Sequence, residues 1–214
     1  MSRLKSLILA ACLTLASAAQ AAPADDLIRP IQDRWAEIKY QQPEKQQADL
    51  YHELAGQARK LAEAQPNLAP ALIWEAIVVS SEAGARGGLG ALSMAKEAKR
   101  LLEESLKLDE KALNGSAYTS LATLYAKVPR WPIGFGDKAK AEELFRKSLA
   151  INPSGIDPNF FYGEYLIDED RVAEGRRYLE KALSAAPRPG RETADQGRRR
   201  EIQALLSKTA KDAR

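Results

Sequence analysis

Residues 137–187 read DKAKAEELFRKSLAINPSGIDPNFFYGEYLIDEDRVAEGRRYLEKALSAAP, and one pattern occurs twice in this segment. The pattern is a small residue, a large apolar residue four later, a second small residue three later and a proline five beyond that. Its two copies lie 34 residues apart, as Ala141, Phe145, Ser148 and Pro153 and then as Gly175, Leu179, Ala182 and Pro187. On a helix the first three positions fall on one stripe, and the proline ends the helix just after it.

The second copy is preceded by a further apolar segment. Tyr162, Gly163 and Leu166 have helical spacing, and Gly163 predicts that two helix backbones approach closely. A helix–turn–helix period of 34 residues with these marks resembles the tetratricopeptide repeat (TPR) superfamily. This resemblance implies a helical-repeat protein that binds a partner.

The rest of the chain is also predicted to be helical. No strand-like alternation of useful length follows Asp25, and good helix formers dominate. The segments pair as hairpins at about 26–40 with 43–64, 70–83 with 89–108, 116–127 with 138–151, and 158–168 with 171–185. A last helix at about 193–210 has the narrow apolar stripe of a capping helix. We therefore predict an all-α fold, a right-handed α-solenoid of about four TPR-like hairpins plus a C-terminal capping helix, in a single domain over residues 22–214.

Two repeats are longer than 34 residues by about ten. The extra residues fall at 84–90, which the glycines predict to be a flexible linker, and at 128–136. Asp137, Asp157 and Asp170 are the expected helix caps.

The first residues read as a secretory signal peptide. Arg3 and Lys5 provide a positive start, residues 7–16 an apolar segment, and residues 19–21 a small-x-small cleavage site. The apolar segment is shorter than the roughly 20 residues that a membrane span needs, and no later segment is long enough. We expect cleavage after Ala21, no transmembrane segment, and a periplasmic or secreted protein.

A lipoprotein signal is the alternative at this end. Residues 9–12 read LAAC, which resembles a lipoprotein processing box with Cys12 as the acylated residue. This box lies very early, however, and apolar residues continue past it to the cleavage site at Ala21.

The composition after cleavage argues against a nucleic-acid partner. The chain has 32 basic and 29 acidic residues. Because Arg3 and Lys5 lie in the predicted signal peptide, cleavage leaves 30 basic against 29 acidic residues. A net charge of +1 gives no electrostatic basis for binding nucleic acid.

The sequence has no good candidate residues for catalysis or metal binding. His52 is the only histidine, and Cys12, the only cysteine, leaves with the signal peptide, so no zinc or thiol site can be assembled. Acidic neighbours such as Glu142 and Glu143 diverge by roughly 100° on a helix. We predict no enzyme activity, no metal and no cofactor.

The loop at 128–136 carries a second resemblance. Pro-x-Trp-Pro, Gly-x-Gly-Asp, Asn-Pro and Asp-Pro-Asn-Phe-Phe-Tyr-Gly follow one another between residues 129 and 163. This order resembles a group of exported bacterial repeat proteins and is similar, more distantly, to the T-component proteins of TRAP-type solute transporters. The resemblance implies a helical repeat that accompanies a ligand-binding partner. Trp131, Ile133 and Phe135 either pin this loop to the body, which we favour, or contact a partner.

The first helix of each hairpin is expected to line a concave groove. Setting aside the residues that pack between hairpins leaves the candidate partner-binding residues Ile73, Ile77, Thr119, Thr123, Lys127, Phe160, Glu164 and Ile167, to which the loop adds Trp131. This wall is more apolar than a solvent-exposed surface normally is. The alternative is that the N-terminal helix, with Ile31, Trp35 and Ile38, covers it.

Basic residues cluster near the C-terminus, at Arg188, Arg191 and residues 198–200. Solubility and helix capping are the favoured explanation, and an acidic partner or membrane surface is the alternative. Taken together, the sequence predicts a non-catalytic scaffold that binds a peptide or protein partner. The alternative is an accessory component of a solute transport system that holds a small apolar ligand.

Overall fold

A computed structural model describes residues 23–212, and the regular structure in this range is helical apart from one isolated bridge between Arg130 and Gly136. The helices are α1 (Ala24–Gln41), α2 (Glu44–Ala64), α3 (Ala69–Arg86), α4 (Gly88–Leu108), α5 (Ser116–Lys127), α6 (Lys138–Ile151), α7 (Ile156–Asp168), α8 (Val172–Leu183) and α9 (Glu192–Asp212), with a 3-10 helix at Ala112–Gly115 before α5. The all-α prediction is confirmed for these residues. The predicted signal peptide, including Cys12, lies outside them.

The repeated stripe forms the centre of the last two hairpins. Phe145 and Leu179 are 1% and 0% exposed, and the small residues Ala141, Ser148 and Ala182 are fully buried beside them. Small side chains at these positions let neighbouring helices approach, while the large one fills the space between them. The 34-residue pattern is therefore a packing pattern.

Helices that follow one another in the chain pack against one another from α1 to α9. The first helices of successive hairpins also touch, since α3 contacts α1 and α5, and α5 contacts α7. The main hydrophobic core contains residues of α1 to α7 and Ala194 of α9, and a smaller cluster joins α7, α8 and α9. Within residues 23–212, no helix combines the length and the apolar character that crossing a membrane requires.

The two ends of the described chain meet, because α1 packs against α9 as well as against α2 and α3. Tyr40 of α1 donates a hydrogen bond from its hydroxyl to Glu201 Oε2 of α9 over 3.1 Å. Arg29 of α1 donates from Nη1 to the carbonyl oxygen of Gly190, 2.9 Å away. The N-terminal helix thus packs between α3, the first helix of the second hairpin, and the C-terminal helix α9.

The prediction of a flexible linker at residues 84–90 is wrong. Helix α3 continues to Arg86 and α4 starts at Gly88, so that one residue separates them. Gly87 has φ +62°, a conformation that other residues rarely adopt. The chain can therefore reverse direction at once, and the extra residues lengthen the two helices.

The predicted caps have different outcomes. Asp137 is confirmed as an N-cap, since its Oδ1 accepts a hydrogen bond from the backbone N–H of Lys140 over 3.0 Å. Asp157 is not a cap, because α7 starts one residue earlier, after Gly155. Asp170 is not a cap either; it has φ +61°, and the residue before α8 is Arg171.

The loop between α5 and α6 is held by only one of its large apolar side chains. Phe135 packs edge-on against Tyr125, with ring centroids 5.5 Å apart. Trp131 and Ile133 are 85% and 69% exposed. The expectation that these residues pin the loop holds for Phe135 and is wrong for the other two.

Candidate functional site

Two adjoining cavities lie between α3, α5 and α7 on one side and α1 and α9 on the other. The groove cavity, about 590 Å³, is lined on the inner side by Ile77 and Ser80 of α3, Ser120, Thr123 and Leu124 of α5, and Phe160, Phe161 and Glu164 of α7. The arginine cavity, about 560 Å³, is lined by Arg29, Arg188, Arg191 and Arg198 together with Trp74 and the starts of α5 and α7. Both cavities lie within the size range of small-molecule sites.

The two cavities share part of their lining. The shared residues are Trp35, Ile77, Ser120, Phe161 and Arg198, which come from α1, α3, α5, α7 and α9. Trp35 is fixed there by a 2.8 Å hydrogen bond from its Nε1 to Ser81 Oγ and by edge-on packing against Trp74. A rigid aromatic side chain therefore stands where the two spaces meet.

Most of the predicted groove residues are brought together by the fold. Ile77, Thr123, Phe160 and Glu164 line the groove cavity, and Thr119 lines the arginine cavity. Thr119 is 4% exposed, because its hydroxyl is hydrogen-bonded to that of Ser148 on α6. Its contact with the cavity is consequently small.

Lys127 lies at the end of α5, beside the groove cavity. Its Nζ is 2.7 Å from Asp168 Oδ2 and 3.4 Å from Glu164 Oε2. Burial by itself would lower the pKa of Lys127, but these two carboxylates outweigh it and raise the pKa. Lys127 thus ties α5 to α7 as a permanent cation.

Like Lys127, three further predicted residues line neither cavity. Ile73 is 0% exposed and belongs to the main core, although Ile77 and Ser80 of the same helix line the groove cavity. Ile167 packs into the smaller cluster and faces α8, near Gly175. Trp131 lies on the exposed loop. The prediction that these three line the groove wall with the others is wrong.

Arg198 is the central residue that sequence reasoning missed. Its guanidinium lies 4.3 Å from the ring centroid of Phe160 and 4.5 Å from that of Phe161. It donates to Asp157 Oδ1 over 3.0 Å and to Glu201 Oε2 over 2.7 Å. Arg198 is 6% exposed, so the view of the basic cluster as a solubilising surface is wrong for this residue. The sequence signal for it was weak, namely an arginine on the same face as Ile202, four residues later.

Asp157 joins the two ends of this network. Arg188 Nη1 lies 2.6 Å from its Oδ2, on the opposite side from Arg198. Burial would raise the pKa of the Asp157 carboxyl, but the two guanidinium groups outweigh it and hold the pKa at about 2. The carboxylate therefore stays ionised and fixes α7 to the segment that leads into α9.

Each cavity also has a buried polar atom without a hydrogen-bond partner among the described residues. These atoms are the hydroxyl of Tyr51, which lines the groove cavity, and Nε1 of Trp74, which lines the arginine cavity. Tyr51 is 2% exposed and Trp74 is 4% exposed. Unsatisfied buried donors of this kind are uncommon in folded proteins.

The histidine provides no catalytic set within residues 23–212. His52 Nδ1 lies 2.9 Å from Glu82 Oε1, and Arg86 also donates to that oxygen. The histidine side chain is 71% exposed. In the same range, no three His, Cys, Asp or Glu side chains are grouped so that they could hold a metal ion.

Comparison with models of known protein families gives no match, and comparison with curated protein sequences gives none either.

Proposed function

We propose that this protein is a non-catalytic binding scaffold that holds a peptide segment of a partner protein in the groove cavity. The observation that carries the proposal is the convergence of α3, α5 and α7 on one partly open space. Ile77, Leu124 and Phe161 provide apolar contact there, while Ser80, Thr123 and Glu164 provide hydrogen-bonding groups. A mixed lining of this kind suits a peptide, which has both apolar side chains and a polar backbone.

The architecture that we propose for this role is a right-handed TPR-like solenoid. The proposal is supported by the 34-residue period of the buried stripe and by the contacts of α3 with α5 and of α5 with α7. In a solenoid the first helices form one continuous wall, which makes them the natural binding surface. Helices α1 and α9 then reduce an open groove to the two cavities.

We also propose that the protein is exported and works in the periplasm or outside the cell. Residues 1–21 support this proposal through their basic start, apolar segment and cleavage site. N-terminal sequencing of the protein from an exported fraction tests it, and Ala22 is the expected first residue. An acylated Cys12 at the N-terminus would instead indicate a lipoprotein.

The groove cavity can be blocked without removing a core residue. Thr123 is half-buried and donates a hydrogen bond only to the carbonyl of Thr119 in its own helix. A Thr123→Arg substitution places a long side chain in the cavity. Ser207→Arg puts the same side chain on the exposed face of α9, away from both cavities, and is the matched control.

The test uses a peptide of known sequence, selected from a displayed random library against the wild-type protein and then synthesised. We expect Thr123→Arg to weaken its binding by at least about tenfold, a loss of roughly 1.4 kcal/mol, and Ser207→Arg to leave it unchanged. If the best peptides bind the Thr123→Arg variant as tightly as the wild type, the groove cavity is not the peptide site.

A second candidate function is that of an accessory solute-binding component, as the distant resemblance to T-component proteins implies. The observation in its favour is that α1 and α9 partly enclose the cavities, at volumes typical of small-ligand sites. Native mass spectrometry separates the two functions. A small molecule that co-purifies with the wild type and is lost from Thr123→Arg would favour this second function.

A further inference from the structure

The arginine cavity differs from the groove cavity in the charge of its lining. Four arginines line it, whereas its only acidic lining residues are Asp25 and Asp157. Arg188 and Arg198 already share the Asp157 carboxylate, at 2.6 and 3.0 Å. Arg188 also pairs with Asp195 and Arg198 with Glu201. Among the described residues, the two lining arginines without a salt bridge are therefore Arg29 and Arg191.

Arg191 forms no salt bridge with a carboxylate of residues 23–212, although Asp157, Asp195 and Asp33 lie near enough to act on its charge. Asp195 is bound by Arg188 at 2.6 Å. Arg191 instead lies over the ring of Trp74, 5.0 Å from the centroid. Burial and the nearby Arg188 lower the pKa of Arg191 by more than the carboxylates of Asp157, Asp195 and Asp33 raise it. Its charge is therefore only partly compensated by the described residues. An anion in the cavity would add to that compensation.

Other features of the cavity wall also favour a bound anion. Helices α5 and α7 both begin at the cavity, where Ser116 and Ile156 line it, and the N-terminal ends of helices favour negative charge. Trp74 lines the cavity, while its Nε1 is buried without a partner among residues 23–212. Trp35, Ile77 and Phe161 make part of the remaining wall apolar.

We infer that the arginine cavity is a binding site for a small organic oxyanion. Its phosphate or carboxylate group lies against Arg191, and its apolar body packs against Trp35, Trp74 and Ile77. This site does not depend on a peptide in the groove cavity and has its own test. Trp35 and Ile77 line both cavities, whereas Trp74 and Arg191 line only the arginine cavity.

Four probe molecules distinguish the contribution of the negative charge to binding from that of the apolar ring. Phenyl phosphate and benzoate carry a phosphate and a carboxylate on the same aromatic ring. Benzyl alcohol has a similar ring but no charge, and inorganic phosphate is an anion without an apolar group. Binding is measured by calorimetry and by quenching of the fluorescence of Trp35 and Trp74. A Trp131→Phe background removes the emission of the third tryptophan, which is exposed and far along the chain.

Two variants test the site, one by removing a positive charge and the other by adding a negative charge. Arg191→Gln removes the cation but keeps the length of the side chain, and the nearby exposed Arg200→Gln is the matched control. Ser154→Glu places a carboxylate at the cavity without touching Arg191, since Ser154 is an exposed lining residue. Circular dichroism and thermal melts verify that each variant is folded.

We expect at least one of the two aromatic anions to bind, and to bind about tenfold or more tightly than benzyl alcohol and than inorganic phosphate. Arg191→Gln and Ser154→Glu each lower that affinity by about tenfold or more, whereas Arg200→Gln and Thr123→Arg leave it unchanged. Whichever of phenyl phosphate and benzoate binds more tightly shows whether the site prefers a phosphate or a carboxylate.

Three results would overturn the inference. They are failure of both aromatic anions to bind the wild type at millimolar concentration, undiminished binding by Arg191→Gln, and equal binding of benzyl alcohol. Loss of peptide binding by Thr123→Arg, with anion binding retained, would support both proposals separately.

Discussion

Gly163 and Gly175 lie against each other where α7 crosses α8. A Cβ atom on Gly163 would lie 2.9 Å from the carbonyl oxygen of Gly175, and one on Gly175 would lie 2.6 Å from the carbonyl oxygen of Gly163. Backbone atoms cannot move aside as a side chain can. The predicted close approach at Gly163 is confirmed, and its partner is the small residue of the repeated pattern.

Gly175→Ala is therefore expected to destabilise the protein, although the equivalent residue of the preceding repeat is Ala141. We expect the free energy of unfolding to fall by about 2 kcal/mol, because the methyl group forces α7 and α8 apart. Urea denaturation followed by circular dichroism measures it. The matched control is Gly56→Ala in α2, where nothing lies within 4 Å of the new methyl group. That substitution should stabilise by about 0.5–1 kcal/mol, and equal effects of the two would contradict the packing argument.

The contact between α1 and α9 depends on a second glycine. A Cβ on Gly197 would overlap the ring of Tyr40. We expect Gly197→Ala to destabilise the protein and to speed hydrogen exchange in α1. In the Tyr40→Ala background the same substitution should cost about 1 kcal/mol less, since the ring that it meets is gone. Additive losses in this double-mutant cycle would mean that the two residues do not constrain each other.

The Asp157 carboxylate predicts a dependence of stability on pH. Its pKa of about 2 lies below the ordinary value near 3.9, so it stabilises the folded state above about pH 4, and this contribution is lost as the pH falls towards about 2. We expect Asp157→Asn to cost about 2 kcal/mol at pH 7 and progressively less between about pH 4 and 2.

The control for this prediction is Asp49→Asn, whose side chain is 83% exposed in its pair with Arg86. Its effect should stay within about 0.5 kcal/mol at neutral pH. Urea denaturation of the wild type and both variants at several pH values provides the comparison. A loss for Asp157→Asn that is the same at pH 7 and at pH 2 would show that the ionised carboxylate is not the source.

The loop between α5 and α6 provides a fourth prediction. Phe135→Ala should lower the free energy of unfolding by about 2 kcal/mol, because the ring packs against Tyr125. Trp131→Ala should change it by no more than about 0.5 kcal/mol, because that side chain is 85% exposed. Chemical denaturation measures both effects. A larger loss for Trp131→Ala than for Phe135→Ala would mean that the tryptophan holds the loop.

Local sequence signals predicted helices more reliably than connections. The bounds of α5 and α6 agree with the prediction residue for residue, since apolar spacing and the Asp137 cap define them locally. The linker at residues 84–90 was mispredicted because glycines permit both a flexible loop and an abrupt turn. The packing of α3 against α4 selects the turn.

The candidate site was predictable only in part, because the spacing of residues within a helix does not determine how that helix packs against its neighbours. Periodicity placed Ile77, Thr123, Phe160 and Glu164 on the inner faces of three helices. It could not distinguish Ile73 from Ile77, because the rotation of α3 is decided by the helices on both of its sides.

The sequence by itself determined that the chain is helical, where most helices begin and end, and which stripe of residues packs between the last hairpins. These properties depend on residues within one or two turns of one another. Only the tertiary structure decided that α1 meets α9, that Asp157 pairs with Arg188 and Arg198 instead of capping α7, and that Arg191 stands over Trp74. Those contacts join residues 31 to 161 positions apart, and such pairings are set by how the whole chain closes.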